Sequence, residues 1–145
     1  MLDETYTHVL VAYDGSTDAK KALVKAINIA KRNDAALTVA YVVDLRSPHL
    51  FADKPGKITE LAEEHAKEMQ NEIEEKLKEA KFSNYQLRIE KGNPKTVITY
   101  DLIDEVSADI VVCGSNGIDS YDHLVIGSTS ENIVRYSTVD VLVVK

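Results

Sequence analysis

The sequence predicts an α/β protein built on a doubly wound, mostly parallel sheet with helices on both faces. Three observations carry this. Short, valine-rich apolar runs alternate with amphipathic stretches of helical period, in the order β-α-β-α-β-α-β-α-β. The strand-like runs are apolar nearly throughout, as in strands covered on both faces. Right-handed crossovers between successive parallel strands then make the doubly wound sheet the leading topology.

The first strand is "HVLVAY", His8–Tyr13, ending at "DGST". Ala19, Ala22, Leu23, Ala26, Ile27 and Ala30 follow at helical spacing. "ALTVAYVV", Ala36–Val43, is the second strand, and Asp44–Gly56, with two prolines and a glycine, reads as a loop. A long helix then places Leu61, His65, Met69, Ile73 and Leu77 on one face and Glu and Lys on the others. "YQLRIEK", Tyr85–Lys91, alternates like a half-exposed edge strand. Asn93-Pro94 opens a helix, Asn as cap and Pro in the first turn, with Ile98, Leu102 and Val106 on its buried side. "DIVVCG" is the fourth strand, Glu131–Ser137 a short helix and "DVLVVK" the last strand.

The 145 residues suit one domain, 1–145, with a sizeable core and no internal repeat or linker. A net charge of −7 argues against nonspecific nucleic-acid binding, which needs clustered cations. A small anion held by backbone N–H groups stays compatible with it. The single cysteine permits no internal disulfide and suits a reducing compartment. No stretch reaches the ~20 apolar residues of a membrane span. The start, "MLDETYTHVL", lacks the basic region and apolar core of a signal peptide, so the chain reads as cytoplasmic.

In a doubly wound sheet, ligands bind beyond the carboxyl ends of the strands, where strand order reverses. The first strand ends there in Ala12-Tyr13-Asp14-Gly15, the second in Val42-Val43-Asp44, and the fourth opens "CGSNG". If the first and fourth strands are neighbours, Asp14 and Gly114 face one crevice. Gly114, Gly117 and Gly127 let the backbone turn tightly and approach a ligand. The N–H groups of Ser128, Thr129 and Ser130 lie at a helix start, a ready anion site. The Ser128 and Ser130 hydroxyls can add bonds to phosphate oxygens, the Asp14 carboxylate suits a ribose hydroxyl, and backbone near Val42 can read an adenine edge. Ser128-Thr129-Ser130-Glu131 is equally a capping box, in which Ser128 and Glu131 satisfy each other's backbone donors. From spacing alone both readings stand.

The pattern Gly114-x-x-Gly117, nine residues, then Gly127-Ser128 resembles the G-x2-G-x9-G-(S/T) signature of the nucleotide-binding universal stress proteins. "VAYDGS", "GNP", "ADIVVCGSNG" and "VDVLVVK" are similar to the same family, so the resemblance covers nearly the whole chain. It implies a Rossmann-like fold with strand order 3-2-1-4-5 and ATP at the carboxyl edge. Adenine and ribose would meet Ala12, Tyr13, Asp14 and Val42. The phosphates would meet Gly114, Asn116, Gly117, Gly127, Ser128, Thr129 and Ser130. It also implies a homodimer through the last strand, Val139–Val144, whose apolar side chains on both faces mark an edge that invites pairing. Asn116 stands where the family often has a basic residue or His. The insert "IDSYDHLVI" carries Asp119 and Asp122 and no Lys or Arg, and like charge near a triphosphate weakens binding. Mg²⁺ or Mn²⁺ held by the phosphates would screen it, with His123 the local source of positive charge.

Rival constellations are absent. No P-loop occurs, and the first turn lacks the dinucleotide fingerprint. The third strand ends in Lys91-Gly92, not in the Asp of a phosphoacceptor receiver. Cys113 in an apolar strand reads as a buried thiol, and His65 on a helix's apolar face as packing. His8, His49 and His123 lack metal-ligand spacing, and no nucleophile–base pair or carboxylate dyad stands out. The function expected is an ATP-binding stress-response protein whose occupancy regulates its partners, with at most slow hydrolysis. The alternatives are a nucleotide-independent dimeric adaptor and a true nucleotide hydrolase or transferase.

Overall fold

The computed structural model describes residues 4–44, 46, 58–116 and 125–145. Five strands form one parallel sheet: β1 His8–Tyr13, β2 Ala36–Val43, β3 Tyr85–Lys91, β4 Ile110–Gly114 and β5 Asp140–Val144. Their order is β3-β2-β1-β4-β5. The chain thus runs outward to β3, returns across the sheet and adds β4 on the far side of β1. β1 pairs with β2 through Val9↔Leu37 and with β4 through Val9↔Ile110. The strand order reverses between these pairings, so the switch point lies at the carboxyl ends of β1 and β4.

Two apolar layers cover the sheet. Helices α1, Thr17–Asn33, and α2, Ile58–Glu79, pack on one face. Their Leu23, Ile27, Met69, Ile73 and Leu77 meet Val9, Val11, Leu37 and Val39. The sequence-predicted faces of both helices are the buried ones. His65, expected to pack, sets its half-buried ring 5.8 Å from the ring of Tyr41. On the other face lie α3, residues 94–106, and α4, Ser128–Tyr136. Ile98, Leu102, Val106 and Ile133 meet Leu10, Ala40 and Val111 there.

The helix ends follow local chemistry. The Ser16 hydroxyl caps α1 by accepting the Ala19 N–H at 3.1 Å. Asp34, in the left-handed conformation at φ 52°, closes α1 by donating its N–H to the Ala30 and Lys31 carbonyls. Asn93 caps α3 by accepting the Lys95 N–H at 3.1 Å, with Pro94 in the first turn as expected. Periodicity did not foretell that Val97–Leu102 winds as a π-helix within α3. There the buried Thr99 donates its hydroxyl to Asn132 Oδ1 of α4 at 3.2 Å, joining the two helices.

α4 differs from expectation in its start. It begins at Ser128 rather than Glu131, with Gly127 as its cap residue and no side-chain cap bond. Ser128 is therefore already helical, and the capping box does not form. The Glu131 carboxylate instead pairs with Arg135 one turn on, at 2.9 Å.

Candidate functional site

Asp14 leaves the end of β1 half-exposed. Its carboxylate accepts the Ser16 N–H at 2.9 Å, a local turn that fixes it at the strand end. Gly15 makes this turn possible. It sits at φ +83°, where side chains are strained, and a Cβ would lie 2.9 Å from the Met69 sulfur.

Across the switch point, β4 ends in Gly114-Ser115-Asn116. A Cβ on Gly114 would stand 2.8 Å from backbone and Cβ atoms of Asp18 and 2.9 Å from Ala19 N. The missing side chain therefore lets β4 lie directly on the first turn of α1. Sequence reasoning had given that space to a ligand; the helix occupies it.

The contact brings Asp18 beneath the loop. Its Oδ2 accepts the Ser115 hydroxyl at 2.8 Å and the Asn116 N–H at 3.2 Å. The Ser16 hydroxyl donates to the Asn116 carbonyl at 3.3 Å, joining the β1 and β4 loops. Ser115 donates its N–H to the Val144 carbonyl at 2.8 Å and accepts the Gly127 N–H at 2.6 Å. The buried Ser130 hydroxyl donates to the Gly114 carbonyl. The ends of β1, β4 and β5 and the start of α4 thus form one hydrogen-bonded cluster.

Most of the sequence-predicted site residues meet at this edge. Asp14, Gly114, Asn116, Gly127 and Ser130 belong to the cluster, and Ser128 and Thr129 follow directly in the first turn of α4. The N–H groups of that turn have no acceptor within the helix. Ala12 and Val42 lie on the α3–α4 face of the sheet, Val42 buried and Ala12 partly so. The Tyr13 side chain points to the opposite face, where its hydroxyl donates to Glu72 at 2.9 Å. Burial, with Glu72 adding, holds that phenol proton above the usual range, so only the backbone of Tyr13 is suited to the strand-end crevice. Gly117, Asp119, Asp122, His123 and His49 lie outside the described residues. Among the described residues no three of His, Cys, Asp and Glu gather to hold a metal ion, and no helix is long and apolar enough to cross a membrane.

Ser16, Asp18 and Ser115 were not anticipated as part of this cluster. Their signal in the sequence was slight: two hydroxyls in strand-to-helix turns and an acid at a helix start. Cys113, next to the loop, is buried as expected. Burial pushes its thiol up to about 11, with the nearby Ser130 hydroxyl pulling more weakly the other way.

Comparison with known proteins assigns the class. The family model of the universal stress protein family matches residues 5–145. The chain belongs to that family. It is 36% identical over 141 residues to a Staphylococcus haemolyticus relative named for the universal stress proteins, covering 97% of this chain and 86% of the relative. The solved universal stress protein UspA from Lactobacillus plantarum superposes with a TM-score of 0.85 at 31% identity, covering 99% of this chain and all (100%) of the other. A universal stress protein solved in complex with cAMP superposes with a TM-score of 0.75 at 26% identity, covering 98% and 99%.

Proposed function

We propose that this chain binds an adenine nucleotide, ATP, at the carboxyl edge between β1 and β4. Nucleotide occupancy would regulate its partners, with at most slow hydrolysis. One observation carries the reading. The α4 N-terminus, capped by a glycine without a side-chain bond, is joined through Ser115, Asn116 and Ser16 to the loop that holds Asp14. Phosphate donors and a ribose acceptor thus share one edge, and the donor set fits a nucleotide. A family member in complex with cAMP, itself an adenine nucleotide, supports the choice of base.

Phosphate would rest on the N–H groups of Ser128, Thr129 and Ser130 and the Ser128 hydroxyl. The Ser130 hydroxyl, already bonded to Gly114, is not needed for this. Mg²⁺ or Mn²⁺ would be held mainly by the phosphates. The reading includes a homodimer formed through β5.

Two measurements test it. Small molecules released on denaturing the purified protein should include an adenine nucleotide. Calorimetry should then give Asp14→Ala an affinity for ATP lower by about tenfold or more, the equivalent of one charged hydrogen bond. A folded Asp14→Ala protein with unchanged affinity refutes the assignment. Absence of any adenine-nucleotide binding favours the dimeric adaptor, and rapid turnover with Mg²⁺ the hydrolase.

A further inference from the structure

We propose that Asp18 is a positioning residue for this edge: its carboxylate fixes Ser115 and Asn116, just past the end of β4, and thereby sets nucleotide affinity. The inference rests on the reading of the site as a nucleotide site, but its geometry stands apart from any ligand.

Asp18 occupies the first turn of α1, where the helix dipole favours a carboxylate. Gly114 allows β4 to approach it closely, since any Cβ there would meet Asp18 itself. One oxygen, Oδ2, then accepts both the Ser115 hydroxyl and the Asn116 N–H. The Asn116 side chain adds a longer bond to the Ser115 hydroxyl, 3.4 Å. Ser115 in turn holds Gly127, the residue that opens α4, and the end of β5. A single acid on α1 is thereby tied, through Ser115, to the residue that opens the phosphate-facing helix.

This arrangement also changes the role expected of Asn116. Its N–H is taken up by Asp18 and is not offered to phosphate. The Asp18 carboxylate acts there as an internal anion, and the ligand's phosphates are left to the α4 N-terminus. An anion that already neutralises that donor holds Ser115 and Asn116 in place before ligand arrives, which lowers the ordering cost of binding.

The test uses the full chain with MgATP and compares Asp18→Ala, Asp18→Asn and Ser115→Ala. Asp18→Asn keeps an oxygen acceptor at the same place. Calorimetry should show Asp18→Ala weaker by about tenfold and Asp18→Asn recovering most of that loss. Asp18→Ala and Ser115→Ala should fall short of additivity when combined, because they break one shared bond. The amide signal of Asn116 should move upfield and exchange faster in Asp18→Ala, with or without nucleotide.

Affinity within twofold of the unmodified protein in a folded Asp18→Ala variant overturns the proposal. So does an Asn116 amide that keeps its shift and protection. If the unmodified protein binds no adenine nucleotide, the functional reading falls on its own. The Asn116 amide then decides whether Asp18 holds this strand end: loss of protection in Asp18→Ala supports the proposal, and unchanged protection overturns it.

Discussion

Gly114 has no Cβ because α1 lies where one would be. Gly114→Ala would force a methyl against Asp18 and Ala19 backbone atoms at 2.8–2.9 Å, and neither helix nor strand can yield cheaply. Urea unfolding should show a loss of about 1–3 kcal/mol, the usual cost of overpacking. His8 supplies a second prediction. Its Nε2 lies 2.6 Å from the hydroxyl of the fully buried Thr38, which also accepts from Gln86 Nε2 at 3.0 Å. Burial holds the His8 imidazole below its usual range, against the opposing pull of Asp109. The unfolded chain therefore takes up the proton first. Stability contributed here is complete above about pH 6.5 and declines as the pH falls below it toward the folded value. Thermal unfolding across pH 5–8 should show this slope in the unmodified protein and less of it in His8→Asn. Nothing in the linear order hinted at the Thr38 link, since it joins β1, β2 and β3 sideways and has no spacing along the chain.

Among the elements, α4 was the least legible in the sequence. Its first residues, Ser128-Thr129-Ser130, have the composition of a cap, and a capping box reads identically to a phosphate site in one dimension. The deciding fact is three-dimensional. The Gly127 N–H is drawn to Ser115 on a neighbouring strand end, which sets the helix boundary before Ser128. Ser128→Ala should therefore leave the melting temperature of the ligand-free protein nearly unchanged and weaken ATP binding modestly. A fall in melting temperature worth ~1 kcal/mol, equal with and without nucleotide, would restore the capping reading. The longer elements were legible for the opposite reason. In α1, α2 and the central strands β1, β2 and β4 the apolar pattern repeats over several turns or pleats, so burial determines them. Within α3, periodicity located the buried residues Ile98, Leu102 and Val106. It passed over the π-helical stretch, because the wider winding changes hydrogen-bond partners more than it changes the buried face.

For the molecule as a whole, the order β3-β2-β1-β4-β5 leaves β3 and β5 at the margins. β3 has a charged outer surface, where Arg88 pairs with Glu90 at 2.7 Å and with Glu105 of α3 at 2.6 Å. β5 presents Val141, Leu142 and Val143 instead, all incompletely buried. The Val144 carbonyl accepts from Ser115, so its backbone faces β4 and, by alternation, that of Val141 and Val143 faces outward. Two copies pairing antiparallel there would satisfy both edges and close the assembly. Light scattering at micromolar concentration should give twice the 16.1 kDa protomer mass. Val141→Pro removes an outward N–H and should shift the protein toward monomer; a monomeric unmodified protein sinks the proposal. The same strand order has a consequence during synthesis. β1 is made first yet ends in the middle, and its partner Ile110 is about a hundred residues downstream of Val9. At ribosomal speeds of about 5–20 residues per second, that edge stays bare for on the order of 5–20 s. The β1–β2–β3 half can form during that interval, but the switch-point crevice cannot. On the proposed reading, a nucleotide would find this edge complete only once α4 has been made.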